Sequence, residues 1–368
     1  MVTLSRPLSE QRPVLWAREN LFGSWWSSAV TLLFAYVIVR ALWGFIQWAF
    51  VHAVYAVPHT PTGTPETGVC RAVSGIGACW AVIPEKYRFI LFAFYPYHQQ
   101  WRPALCCVLF VALYAVTANR RFWRRELALI WIATLVVVGT LMWGGVFGLP
   151  YVAQYQWGGL PLTLILATLG LTVAFPLAVL VALGRRSTNM PAVKLLCVVY
   201  VELIRGAPLI AWLFMATVMF PLFMPAGVDF DKLLAAQVAI ILFAAAYLAE
   251  VVRAGLQALP RGQAEAADAL GLGYWRKMRL IILPQALRLV IPPLVNTFIG
   301  FFKDTSLVLI VGIFDLLKAG TTAIADPPWQ GFGNEVYLLL AVIYFAFCFA
   351  MSRYSQGLER ELNRTRRR

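Results

Sequence analysis

Long apolar runs separated by short, basic polar stretches set the pattern of this chain. A helix needs about 20 apolar residues to cross the hydrocarbon of a bilayer. Runs close to that length cover residues 30–52 (interrupted by Arg40), 127–147, 160–183, 196–222, 233–252, 280–302 and 336–351. Residues 104–116 are short unless the aromatic residues before them extend the helix. The pattern predicts an all-α integral membrane protein with about eight transmembrane helices. Three lie in an N-terminal region (residues 1–155) that carries a polar loop from Pro58 to about Trp101, and five lie in residues 156–358. A basic tail, residues 359–368, ends the chain.

The basic clusters orient these helices. Arg120, Arg121, Arg124 and Arg125 follow the second run, and Arg185 and Arg186 follow the fourth. Arg253, Arg261, Arg276, Lys277 and Arg279 fill the loop after the sixth, and Arg360, Arg364, Arg366, Arg367 and Arg368 follow the last. All fall on one side, which the positive-inside bias makes cytoplasmic, together with both termini. Residues 306–317, apolar apart from Asp315, would move the arginine-rich C-terminus outside if they spanned. They are expected to be a re-entrant or interfacial helix on the external side.

Composition agrees. The chain is 61% hydrophobic and 13% charged, with a mean hydropathy of +0.72, where a soluble domain is about a quarter charged. The formal charge of +14 sits in loop clusters, so it argues for topology rather than for a nucleic-acid surface. The first residues lack the order of a secretory signal and are expected to be a cytoplasmic tail. Cysteines and histidines show no metal spacing. Cys70 and Cys79 share the polar loop placed outside, where a disulfide could form in an oxidising compartment.

The stretch from Gln263 to Gln285, QAEAADALGLGYWRKMRLIILPQ, carries the most information. Pro260 and Gly262 stop the preceding run. Glu265 to Leu270 can form a short helix with its acid near the positive end, and spacing places Ala266, Ala267 and Leu270 on one low face suited to a shallow groove. Gly271 and Gly273 supply the open dihedrals that end it. The order Glu265-Ala266-Ala267, three residues, Gly271, nine residues, Ile281-x-Leu283-Pro284 resembles, without a gap, the EAA loop of ABC-importer permeases.

Trp157-Gly158-Gly159-Leu160, Tyr200 to Leu209 (YVELIRGAPL), Tyr247 to Arg253 (YLAEVVR) and Phe302 to Leu307 (FKDTSL) resemble permeases for polar amino acids. Ala254 stands where that group usually has glycine. The long N-terminal region is similar to the general L-amino-acid permeases, the AapM type. The resemblance implies a permease subunit in the bacterial inner membrane, with residues 156–358 as its five-span core. It implies a loop that docks onto ABC ATPase subunits, a second permease that the long N-terminal region suggests is a different chain, and a periplasmic amino-acid-binding protein. ATP would be used on the partners, since no GxxxxGK[ST] loop occurs here, and no cofactor is expected on this chain.

Ionisable residues within or near spans are costly and often functional. Glu202 with Arg205 and Glu250 with Arg253 could pair at helical spacing and offer both charges to a zwitterion, or could only fix helices. Lys303 and Asp304 are expected at the external membrane edge, near a translocation mouth. The alternative function is an ion-gradient-driven secondary transporter of small polar solutes. It would leave the EAA loop unexplained, and no inverted repeat is visible.

Overall fold

The computed structural model describes residues 13–119, 122–123, 125–225 and 230–366. Arg120, Arg121, Arg124, Arg367, Arg368 and the N-terminal residues 1–12 lie outside the described residues, as do residues 226–229 and the side chains of Arg125, Arg364 and Arg366. Among the described residues all regular structure is helical, with three isolated bridges. The chain divides into two compact units, residues 1–84 with 328–335, and residues 85–327 with 336–368.

The first unit holds α1 (Pro13–Leu21), α2 (Trp25–Ile46) and α3 (Gly68–Ala72). Ser24 caps α2 by accepting from the Ser27 amide. The polar loop folds against the end of α2. The Ala78 amide donates to the Trp48 carbonyl (2.8 Å) and the Trp80 indole to that of Ala49 (2.6 Å). A side chain at Gly77 would place its Cβ 1.9 Å from the His52 carbonyl oxygen, so only glycine fits there. Cys70 and Cys79 are joined in a disulfide, and the buried Glu335 carboxylate accepts the Cys79 amide at 2.7 Å. That bond and that carboxylate hold the loop to the start of the last helix.

The second unit continues with α4 (Val82–Phe92), which crosses the unit boundary, then α5 (Trp101–Ala118), α6 (Arg125–Trp143), α7 (Gly159–Arg185), α8 (Pro191–Arg205) and α9 (Leu209–Phe214). It closes with α10 (Lys232–Gln257), α11 (Gly262–Ala269), α12 (Tyr274–Lys277), α13 (Leu283–Asp304), α14 (Leu316–Ala323) and α15 (Gly333–Arg366). Among the described residues, seven runs are long and apolar enough to cross a membrane. The expected eighth, residues 196–222, is not one straight helix. It breaks by 103° between Pro191–Arg205 and Leu209–Phe223. Pro208 explains this: it has no N–H to continue the ladder and drives Ala207 out of the helical region. The freed Ile204 carbonyl is recovered by the Trp212 indole at 3.0 Å.

Residues 306–317 also differ from expectation. The stretch from Thr305 to Val311 prolongs α13 as a 3₁₀ turn and stops at Gly312, which is left-handed (φ 78°). Asp315 then starts α14 by accepting the Leu317 and Lys318 amides. The segment is the end of one helix and the cap of another, not a single re-entrant helix. Asp315 is fully buried, with the Tyr344 hydroxyl 3.3 Å away, and burial pushes its carboxyl up to about 6.

Small residues place α10 at the centre of this unit. Ala235, Ala236, Ala244, Ala245, Ala246 and Ala249 are buried along it. A Cβ at Gly170 of α7 would meet Ile240 at 3.1 Å, and one at Gly255 would stand 2.8 Å from the Ala286 carbonyl of α13. Such close backbone approach is how helices associate in lipid. A second cluster around Phe110, Met142 and Trp157 packs α5 and α6 beside α7. Arg102, fully buried at the start of α5, donates to the Leu141 carbonyl at 2.5 Å and the Pro150 carbonyl at 3.0 Å. It ties α5 to the chain leaving α6.

Gly255→Ala will force α10 and α13 apart and cost about 1–3 kcal/mol, as overpacking does. Gly300→Ala meets nothing within 4 Å, so it will leave the unfolding midpoint in detergent unchanged or raised. Equal midpoints for the two variants would refute the close α10–α13 contact.

Candidate functional site

The predicted docking helix forms, and its end is fixed by backbone bonds. In α11 the Leu272 amide donates to the Ala267 carbonyl (3.1 Å) and the Gly271 amide to that of Asp268 (2.9 Å). This pair is the Schellman arrangement, which needs a left-handed residue at Gly271, found at φ 70°. Gly273 is extended instead (φ −61°, ψ 157°) and starts α12. From there Met278–Ile282 forms a π turn that runs directly into α13. Pro284 can give no N–H to the Leu280 carbonyl, and the wider turn accommodates its ring.

One expectation about this helix is corrected. Ala267 is 1% exposed and turns into the protein, so it does not share a face with Ala266 and Leu270. The outward surface is Ala266 with Leu270, which is 77% exposed, joined by exposed Tyr274 and Trp275. With α11 resting on the π turn, the residue that follows Ala266 has to face the interior. Glu265 is exposed; Ile281 and Leu283 pack against the main core, and Pro284 is exposed at the start of α13. Two polar contacts brace the loop: Lys277 Nζ on the Asp268 carboxylate (2.6 and 2.8 Å), and Gln285 on Gln263 (3.1 Å).

A charge cluster lies where α7, α8 and α10 meet. Arg185 donates to Glu202 at 2.8 Å and to Glu250 at 2.9 Å. Arg253 grips Glu250 through Nε (3.0 and 3.1 Å) and through a second guanidinium nitrogen. Arg205 stands 3.9 Å from Glu250 with its guanidinium 5.3 Å from the centre of the Tyr247 ring. The expected Glu250–Arg253 pair is therefore present. Among the described residues Glu202 pairs with Arg185 and not with Arg205. Arg185 was legible only as a topology charge, because its partners are 17 and 65 residues away.

Lys303 and Asp304 are elsewhere. Their neighbour Phe301 packs edge-on against Phe243 and Tyr247 of α10, with ring centres 6.0 and 6.2 Å apart. Both residues fall inside the apolar helical run Tyr274–Val311, which continues past Asp304 as a 3₁₀ turn. No group of three or more metal-ligating side chains occurs among the described residues.

Residues 174–364 match the family described as the binding-protein-dependent transport system inner membrane component. The chain is 46% identical over 366 residues, 97% of this chain and 96% of the relative, to the inner membrane amino-acid ABC transporter permease protein YhdY of Escherichia coli. It is 38% identical to the glutamate/glutamine/aspartate/asparagine transport system permease protein BztC of Rhodobacter capsulatus, over 98% of this chain and 96% of that one. A crystal structure of an amino acid ABC transporter with histidines aligns with 55% of this chain and 92% of its own, at 33% identity and a TM-score of 0.49. The chain belongs to the family of binding-protein-dependent transport system inner membrane components. That membership sets aside the gradient-driven alternative.

Glu250→Gln leaves three guanidinium groups without their shared counter-charge and is expected to lower stability by about 1–3 kcal/mol. Glu202, 64% exposed, holds only a hydrated pair, and Glu202→Gln is expected to cost less than about 1 kcal/mol. Unfolding midpoints of the two purified variants check the order; the reverse order would remove Glu250 from the centre of the cluster.

Proposed function

We propose that the chain is the permease subunit of an ATP-driven importer of amino acids, of the general L-amino-acid type. Both relatives above are named as amino-acid permeases and align along the N-terminal region as well as the core. The observation that carries the mechanism is α11, braced at Asp268 by Lys277 of α12 and at Gln263 by Gln285 of α13, with α12 running through a π turn into α13. A load applied at Ala266 and Leu270 has a stiff route into the bundle. In this reading ABC ATPase subunits, not this chain, bind and hydrolyse ATP. Their closure moves α11 and rocks the spans between inward- and outward-open states. A second permease of different sequence completes the path, and a periplasmic binding protein delivers the amino acid. Glu202, Arg205, Glu250, Lys303 and Asp304 are ionisable groups available to that path, Lys303 and Asp304 at the C-terminal end of α13.

Gly271 is the residue to change. Nothing lies within 4 Å of a Cβ placed there, so bulk is tolerated and only the left-handed backbone resists. An L side chain costs about 1–2 kcal/mol at that dihedral. Gly271→Ala should cut ATP-driven uptake by proteoliposomes of the whole complex about fivefold or more while ATP hydrolysis continues. Gly273→Ala, at an ordinary φ and also in open space, should leave uptake near wild type. Normal uptake by Gly271→Ala would remove this loop as the coupling element. The proposed membrane orientation places a reporter at Gly271 in the cytoplasm and one at Thr64 outside; the opposite labelling would reverse the topology.

A further inference from the structure

None of the predicted path residues lines the cavity at the other end of the core. A space of about 610 Å³ opens beside the N-terminal ends of α7 and α10, away from Arg185, Glu250 and the α11 loop at their C-terminal ends. Its floor is apolar, with buried Leu162 and Ile313. Phe94 and Phe314 form an edge-to-face pair in the wall, with ring centres 4.7 Å apart. Two opposite charges, Asp231 and Lys232, stand together at the mouth.

Those two charges are not spent alike. Asp231 Oδ1 accepts the Leu234 amide at 2.8 Å as the cap of α10, and the Gln154 amide nitrogen donates to the same carboxylate, so Asp231 is held in place. Among the described residues no carboxylate is paired with Lys232, whose ammonium lies beside Gly312. We propose that this cavity is an external binding site for a free α-amino acid, with the ligand carboxylate on Lys232 and its ammonium on Asp231. The apolar floor and aromatic wall take the side chain. A volume of this size, mostly apolar with a few convergent polar groups, is typical of small-ligand sites, and the aromatic faces favour a cation beside them. An acidic side chain from a docked protein would use Lys232 but meet repulsion from Asp231. A zwitterion satisfies both. The ligand class rests on the importer reading above, whereas the cavity and its charges stand apart from the coupling loop.

A local label tests this. Cys106, Cys107, Cys197 and Cys348 are buried or half-buried, and Cys70 and Cys79 are bonded, so Gln156→Cys at the cavity wall gives a distinct reporter thiol. Spheroplasts freed of periplasmic protein and expressing the complete transporter are treated with a membrane-impermeant maleimide. L-Glutamine or L-arginine should slow labelling about fivefold or more, and glutamine analogues lacking the carboxylate or the amine should protect far less. Lys232→Gln and Asp231→Asn should each raise the half-protecting concentration about tenfold, equivalent to about 1.4 kcal/mol; asparagine still caps the helix, so the second change removes charge alone. Absence of protection, unchanged protection in both variants, or labelling only from the cytoplasmic side would overturn the site. Protection that requires added binding protein would make it a protein-docking face instead and would equally overturn it. Uptake by Gly271→Ala has no bearing on the label, so failure of the coupling reading and failure of this site are separately visible.

Discussion

Close contact between backbones holds the core together. A helix in lipid gains nothing by hiding apolar side chains from water, so association depends on fit. The helix α10 meets that demand with alanines and Gly255, which let α7 and α13 approach until main-chain atoms touch side chains. Dispersion gained over many such contacts is small per atom pair and large in sum. The charge cluster and the loop that carries α11 are positioned by helices that this packing has already fixed.

Features set by neighbouring residues were legible in the sequence. The glycine at 271 announced a helix end that the backbone bonds bear out. The apolar runs located the crossing helices, and the aromatic residues before Ala104 do extend α5, which starts at Trp101. Features set by partners distant in the chain were not. Helical spacing suggested Glu202 with Arg205, but a guanidinium on another helix reaches Glu202 first. Spacing alone also could not say which side of α11 faces inward, so Ala267 was assigned to the wrong surface. The break at Pro208 lay hidden inside a continuous apolar run, because hydropathy averages over the one residue that cannot join the ladder.

Several polar side chains of this protein find their partners at helix ends. Asp315 caps α14, Asp231 caps α10, and Arg102 answers two carbonyls that no helix uses. Such contacts cost little where a terminus already leaves groups unpaired. The same economy places Lys303 and Asp304 in contrast, since they sit within an apolar run with no cap to serve.

The two carboxylates bound by Arg185 differ in how firmly they are held. Glu250 keeps Arg253 on its own helix whatever α8 does, and it is three-quarters sheltered. Glu202 is largely open to solvent, and water can replace Arg185 there at small cost. Of the two contacts that Arg185 makes, the one to α8 is therefore the one that parts more cheaply. Just beyond it the chain has already turned through 103° at Pro208, so a displacement of α8 is absorbed at that joint and need not be carried into the second half of the same crossing.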